Sequence, residues 1–170
     1  MNLLDVHNLL NFIWGETLRI NEELARKLKP LGFKVEPVEE VFNAYIYLDG
    51  EWREMLYPHP AFEIKPGGEV GATLQGFYFV FGILKEKITE EFVEEFIQKF
   101  KKSYIYGSEN FLEDFYNYQH PKEPDRVFEE IKGSEEELIN FEVGELTVKE
   151  LERYLFDFIE LVKKYRLFDL

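Results

Sequence analysis

The three histidines are the side chains best suited to metal binding or proton transfer, and the sequence keeps them apart. His7 falls in a predicted helix, His59 stands between two prolines, and His120 precedes another proline. No pair has the spacing of ligands on one helix or strand, and the H-E-x-x-H pattern does not occur. Cysteine is absent, which excludes thiolate ligands and a cysteine nucleophile. The sequence therefore predicts no metal site and no cofactor.

Carboxylates are the most numerous reactive groups, with 34 Asp and Glu residues. A hydrolase that uses two acids must hold them in environments that separate their pKa values. Most of these acids fall on predicted solvated helix faces, whereas Glu54, Glu63 and Glu69 fall within the predicted sheet. Glu54 would point to the core face, opposite Ala44. That placement indicates either a wrong strand register or a functional carboxylate.

The glycine-rich run and the serines have simpler explanations than catalysis. Residues 65–69 (KPGGE) could hold an anion on backbone amides, but they lack the P-loop pattern and do not lead into a helix. We interpret them as a hairpin turn. No G-x-S-x-G pattern surrounds a serine, and Ser103, Ser108 and Ser134 are interpreted as caps or turns. The sequence assigns no catalytic residue.

The charge of the chain excludes two classes of partner. The formal net charge is −14. Nucleic-acid binding needs Lys and Arg to neutralise phosphates, and here the lysines cluster at the ends of predicted helices, where they complement the helix dipole. The same charge disfavours an anionic membrane surface. We therefore expect no nucleic acid and no membrane as partner.

The source and compartment follow from composition. No apolar run reaches the roughly 18 residues of a spanning helix, and the N-terminus lacks the positive region of a signal peptide. The cytoplasm is the predicted location. Lys and Glu dominate the charged residues, a bias favoured at high working temperature, so we expect a hyperthermophilic source.

The order of elements predicts an α+β fold in a single domain, residues 1–170. Residues 3–29 have helical periodicity, interrupted at Gly15, and residues 33–38 could form an edge strand limited by Pro37. Helices are also expected at 89–102, at 109–118 and from Thr147 onward, with a further capping box at Ser134 and a strand at 141–143. We expect an antiparallel sheet of four to six strands packed by long N- and C-terminal helices.

The register of the first hairpin depends on its loop. Asp49-Gly50 separates two runs of strand formers. A two-residue loop would place Ile46 opposite Arg53 and so bring charge onto the core face. A three-residue loop from Leu48 to Gly50 would place Ile46 opposite Trp52 and Tyr47 opposite Glu51. We favour the three-residue loop, because a one-residue slip moves every side chain to the other face.

The later strands follow a proline-rich segment. Residues 57–60 (YPHP) are expected to form a loop, because proline cannot donate to a ladder. Residues 61–65 and 69–84 would then form a second hairpin. Its last strand is apolar on both faces between Phe77 and Leu84, so each face needs a cover, and a second copy of the chain could supply one.

The outward face of the first hairpin is the predicted binding surface. Tyr45, Tyr47 and Arg53 would form an aromatic, amphipathic patch of the type found at interfaces, with Trp52 on the core face. The alternative is that one of the protein's own helices covers this face. A second candidate is a pocket between sheet and helices that uses His59, Glu63 and Arg53.

Two resemblances add to these patterns. Residues 62–69 (FEIKPGGE) and the Lys-, Glu- and aromatic-rich style resemble an uncharacterised archaeal protein family of unknown function. The order of elements and the acidity are similar to the secretion-chaperone-like α+β fold, whose members are small acidic dimers that bind segments of other proteins. This second resemblance implies a homodimer with another protein as its partner.

Two functions remain open from the sequence. The first is a non-enzymatic protein-binding or oligomeric interaction module of the cytoplasm. The alternative is a small-molecule-binding protein or enzyme with a pocket between sheet and helices.

Overall fold

The structure is a computed structural model that describes residues 2–48, 50–73, 76–107, 116–117 and 123–170. The chain forms two compact units, Met1–Lys65 and Pro66–Leu170. Among the described residues, the first unit has one α-helix and two strands: α1 (Leu3–Leu28), β1 (Lys34–Leu48) and β2 (Glu51–Lys65). The described part of the second unit has three α-helices and five strands: β3 (Gly68–Thr73), β4 (Gly76–Leu84), α2 (Glu90–Lys99), β5 (Ser103–Gly107), β6 (Tyr116–Asn117), α3 (Pro124–Gly133), β7 (Leu138–Leu146) and α4 (Val148–Lys164).

The first unit packs α1 against the β1–β2 hairpin. The helix begins with a capping box between Asn2 and Asp5 and runs through Gly15 without a break. α1 ends at Leu28 and is followed by a 3-10 turn, Lys29–Leu31. This turn ends at Gly32, whose φ of 94° lies in the left-handed region, while the Phe33 amide donates to the Leu28 carbonyl. This is a Schellman ending, in which glycine carries no side-chain penalty. The predicted long N-terminal helix is therefore confirmed.

The predicted register of the first hairpin is wrong. The strands pair Leu48 with Glu51, Tyr47 with Trp52, and Ile46 with Arg53. The loop therefore has two residues, and Gly50 has a φ of 82°, the positive φ that a type I′ turn requires at its second central position. The local preference of Asp-Gly for this turn prevailed over the separation of charged and apolar residues that we used to choose the register.

The prolines of this hairpin lie inside strands, which corrects two further predictions. β2 is continuous through Pro58 and Pro60, which oppose Val41 and Glu39, and β1 continues past Pro37. Successive backbone amides point to alternate sides of a strand. The donors missing at residues 58 and 60 therefore belong to the same side, and a ladder can persist on the other. Proline removed donors here without ending the strand.

The second unit contains an antiparallel sheet with the strand order β3-β4-β7-β5-β6. The predicted single strand over residues 69–84 is instead two strands, β3 and β4, which pair with each other. Gly76 begins β4 with a φ of 138°, and a Cβ there would come within 2.8 Å of the Leu146 carbonyl oxygen. Only glycine fits this position, at the start of the strand that pairs back onto β3.

The later elements follow the prediction only in part. Thr89 and Thr147 cap α2 and α4 as predicted, each accepting a hydrogen bond from a helical amide, and β7 includes the predicted strand at 141–143. Ser134 ends α3 and does not begin a helix. The helix expected at 109–118 lies mostly outside the described residues, but residues 116–117 form strand β6 and pair with β5.

A phenylalanine core lies between this sheet and its helices. Phe158 of α4 is completely buried and contacts five other phenylalanine rings, from β4 and α2, with ring centroids 4.9 to 6.4 Å away. The predicted apolar stripe of α2 supplies three of them: Phe92, Phe96 and Phe100. The α+β class, the antiparallel sheet and the packing of the N- and C-terminal helices on strands are thus confirmed.

Candidate functional site

Four strands of the second unit alternate between a buried face and a half-buried face. Phe79, Phe81, Ile105 and Phe141 point into the core and are completely buried. The register places Glu69, Val80, Glu142 and Tyr104 in one row across β3, β4, β7 and β5, and these residues are only half-buried. Five residues of this side form what we call the tyrosine–glutamate face: Glu69, Tyr78, Tyr104, Tyr106 and Glu142.

The shorter of two tyrosine–glutamate contacts joins β5 to β7. The Tyr106 hydroxyl donates a hydrogen bond to Glu142 Oε2 over 2.6 Å. Burial, and then the charge of Glu142, raise the pKa of the Tyr106 phenol well above its ordinary value. The phenol therefore keeps its proton at neutral pH and serves as a fixed donor to the carboxylate.

The second contact joins β4 to β3. The Tyr78 hydroxyl donates to Glu69 Oε1 over 3.2 Å. Its ring lies across Gly71, where a Cβ would come within 2.5 Å of the Tyr78 hydroxyl oxygen. Glycine at 71 thus leaves room for the ring, and the ring covers the exposed backbone of β3.

A β-bulge in β7 lies beside the two contacts. β7 has one residue more than β4 between the pairs Phe77–Leu146 and Phe79–Val143. Glu145 takes up this residue with a φ of 55° and forms an ion pair with Lys102 over 2.9 Å. A Cβ at Gly144 would lie 4.0 Å from both Glu142 Oε1 and Tyr78 Cβ. Gly144 of the bulge therefore lies between a residue of each contact, Glu142 and Tyr78.

This arrangement suits the binding of a cationic group. Ionised carboxylates such as those of Glu69 and Glu142 are acceptors that pair with ammonium and guanidinium donors. Tyrosine rings can also receive an ammonium or guanidinium group on their faces. Because the phenols hold the carboxylates in place, a ligand would meet fixed acceptors.

The structure gives backbone positions for the binding residues predicted from the sequence. In the ladder, Tyr45 opposes Glu54, Tyr47 opposes Trp52, and His59 opposes Glu40. The side chains of Tyr45, Tyr47, Trp52, Arg53 and His59 lie outside the part that the structure describes, so their role as a surface patch stays a prediction. Glu54 opposes Tyr45 and not Ala44. Its predicted position on the core face was a consequence of the wrong register.

The predicted pocket of Arg53, His59 and Glu63 stays a prediction. All three residues belong to the continuous strand β2. Because a strand rises about 3.3 Å per residue, a straight β2 would hold the Cα atoms of Arg53 and Glu63 roughly 33 Å apart. The Oε2 atom of Glu63 lies 3.6 Å from the Nζ atom of Lys65, which forms an ion pair with it. Lys65 also pairs with Glu36, and hydrogen bonds from Lys34 and then Lys65 lower the pKa of Glu36.

The sequence reasoning found Glu69 but missed the rest of the tyrosine–glutamate face. Residues 104–106 (YIY) and 140–143 (NFEV) alternate polar or amphipathic side chains with apolar ones, which is the signal of a half-buried strand. We assigned no element to the first segment and predicted only part of the second as a strand. Tyr78 was counted within a strand apolar on both faces.

Among the described residues, no group of three or more His, Asp or Glu side chains is placed to hold a metal ion. No helix in the same part of the chain is both long and apolar enough to cross a membrane.

Comparison with known proteins places the chain in a family. It is similar to the solved structure of a conserved hypothetical protein from Pyrococcus furiosus, a hyperthermophilic archaeon, with 54% identity and a TM-score of 0.81, covering 98% of this chain and 100% of the other. No curated protein matches it. The family model described as a protein of unknown function (DUF3201) matches residues 8–157. The predicted uncharacterised family with an archaeal member is thus confirmed, and the chain belongs to the DUF3201 family.

Proposed function

We propose that this protein is a non-enzymatic protein-binding module of the cytoplasm, and that the tyrosine–glutamate face binds a positively charged segment of another protein. The observation that carries the proposal is the composition of this half-buried face. Tyrosine is enriched at protein interfaces because it combines a large apolar ring with a polar tip.

Charge decides which partner fits. The face carries the carboxylates of Glu69 and Glu142, and the ion pair between Lys102 and Glu145 contributes no net charge. The whole chain has a net charge of −14, which would draw a basic segment toward the protein and repel an acidic one. A lysine or arginine side chain could lie on a tyrosine ring and donate to a carboxylate already held by a phenol.

The hydrogen bonding also favours binding over catalysis. A catalytic base or nucleophile needs a pKa matched to proton transfer near neutral pH, whereas the pKa of Tyr106 is raised above its ordinary value. Both tyrosine–glutamate contacts hold their donors and acceptors in place, as a binding surface requires.

The proposal is tested with labelled peptides and fluorescence anisotropy. A lysine- and arginine-rich peptide should bind the wild-type protein, whereas a glutamate-rich peptide of equal length should not. Added salt should weaken binding, because exposed charges are screened over about 8 Å at physiological ionic strength. Glu142→Gln keeps an acceptor for Tyr106 but removes the charge, and it should weaken binding about tenfold.

A matched variant separates this face from general attraction to an acidic protein. Glu160 is exposed on α4, so Glu160→Gln changes the net charge equally at another surface and should leave binding nearly unchanged. If both variants weaken binding equally, or if the basic peptide does not bind, the tyrosine–glutamate face is not the binding site.

A further inference from the structure

The first half of α1 exposes large apolar side chains on the side opposite its buried face. Ile20, Leu24 and Leu28 are buried and lie along one side of the helix. At about 100° per residue, Leu4 and Leu18 fall on the other side, where they are 65% and 43% exposed. Phe12, also 65% exposed, flanks them. An amphipathic helix of a monomer normally carries charged residues there.

The exposed residues follow the spacing of a helix–helix seam. Leu4, Asn8, Asn11, Gly15 and Leu18 succeed one another in steps of four and three residues, and all five are exposed. We call this set the α1 stripe. Steps that average 3.5 residues keep a stripe facing a partner helix along its whole length.

Charge and size also distinguish the stripe. None of its residues is charged, although the chain has a net charge of −14. A second acidic copy could therefore approach here with little like-charge repulsion. At Gly15, an added Cβ would meet nothing within 4 Å. Glycine weakens the middle of an exposed helix, and its usual benefit is the close approach of another backbone.

We propose that the α1 stripe is a homodimer interface in which two copies of α1 pack antiparallel around a two-fold axis near Asn11. Leu4 lies seven residues before Asn11 and Leu18 seven residues after it, so the axis brings Leu4 of one copy onto Leu18 of the other. Gly15 then meets the region of Asn8, and the two Asn11 amides face each other. The stripe is thus self-complementary, as a two-fold interface requires.

The size of the stripe predicts a weak dimer. Residues 4–18 span about 21 Å of helix, and one such helix pair buries less than the roughly 1,200 Å² of a standard interface. The dimer should therefore dissociate in the micromolar range. This interface is separate from the tyrosine–glutamate face, and its test does not depend on the proposed binding of a basic segment.

Sedimentation equilibrium between roughly 1 and 500 μM tests the pairing. The wild-type mass should rise from that of the 20.4 kDa chain toward twice that value. Asn11→Asp places two like charges at the axis and should raise the dissociation constant at least tenfold. Gln98→Glu makes the same amide-to-acid change at an exposed position of α2 and should leave the constant unchanged.

A second pair of variants separates pairing from helix stability. Gly15→Ala should strengthen α1 in the monomer, and yet it should weaken the dimer several-fold, because the methyl group separates the two helices. Gly133 also has nothing within 4 Å of an added Cβ, so Gly133→Ala is the matched control and should not affect association. Three results would overturn the proposal. The wild type could stay monomeric at all concentrations, or its dimer could be insensitive to Asn11→Asp. The third is a monomer whose α1 stripe binds neutral-lipid vesicles.

Discussion

Replacing Tyr106 by phenylalanine removes one hydroxyl group and leaves the ring in place. At pH 8 the variant should lose about 2 kcal/mol of unfolding free energy, because a hydrogen bond to a charged acceptor contributes roughly 1.5–3 kcal/mol. The bond concerned is the 2.6 Å contact with Glu142. The half-buried position of Tyr106 places the expected loss in the lower part of that range.

The loss should shrink at alkaline pH. The pKa of Tyr106 is raised in the folded protein, whereas the unfolded chain should titrate near the ordinary value of about 10. Below that value both states hold the proton and the phenol adds no pH dependence. Above it only the unfolded state loses the proton, so at about pH 11 the wild type has lost about 1.4 kcal/mol that Tyr106→Phe cannot lose.

Denaturant unfolding at the two pH values measures this difference, and phenolate absorbance reports how many tyrosines ionise before unfolding. The cost of Tyr106→Phe should fall from about 2 kcal/mol at pH 8 to below about 1 kcal/mol at pH 11. An equal cost at both pH values would refute the reasoning, since it would show that the phenol ionises normally in the folded protein.

Four further outcomes are expected. Phe158→Ala should cost about 3–5 kcal/mol in denaturant unfolding, since its ring is fully buried among five others; a cost below about 1 kcal/mol would contradict the described core. Arg166→Gly should raise the free energy of unfolding by about 1 kcal/mol, because Arg166 has a φ of 53° after the end of α4, where glycine has no side-chain penalty; an unchanged free energy of unfolding would argue against backbone strain at this position. Thr147→Ala should cost about 1 kcal/mol of unfolding free energy and Thr147→Ser much less, because only alanine removes the cap. EDTA should leave the melting temperature unchanged, and a drop that zinc reverses would reveal a structural metal.

The helices were predictable because their signals are local. Thr147 and Glu150 form the capping box three residues apart, and the apolar residues after them repeat at helical spacing. The same logic failed at Ser134, where three glutamates imitate a helix start but residues 138–146 enter the sheet. That strand is selected by its partners β4 and β5, which are distant in the sequence.

The candidate site was harder to predict than the helices, because it is assembled from four strands. Tyr106 and Glu142 are 36 residues apart, and only the sheet register brings them into contact. Once one strand is assigned wrongly, its buried and exposed side chains cannot be matched with those of the neighbouring strands. Glu69 could be recognised alone as a carboxylate in the sheet, but its partner Tyr78 required the turn between β3 and β4.

The position of β7 in the sheet has a consequence for folding during translation. β7 lies between β4 and β5 in the sheet, yet it is the last of the described strands to be synthesised. Before residues 138–146 have been synthesised, β4 and β5 have no strand between them. Phe79 and Phe81 also lack the contacts with Phe158 that α4 supplies later. Unpaired strand edges and exposed apolar faces are the features that make nascent chains aggregate. We therefore expect the second unit to complete its fold only after β7 and α4 have been synthesised.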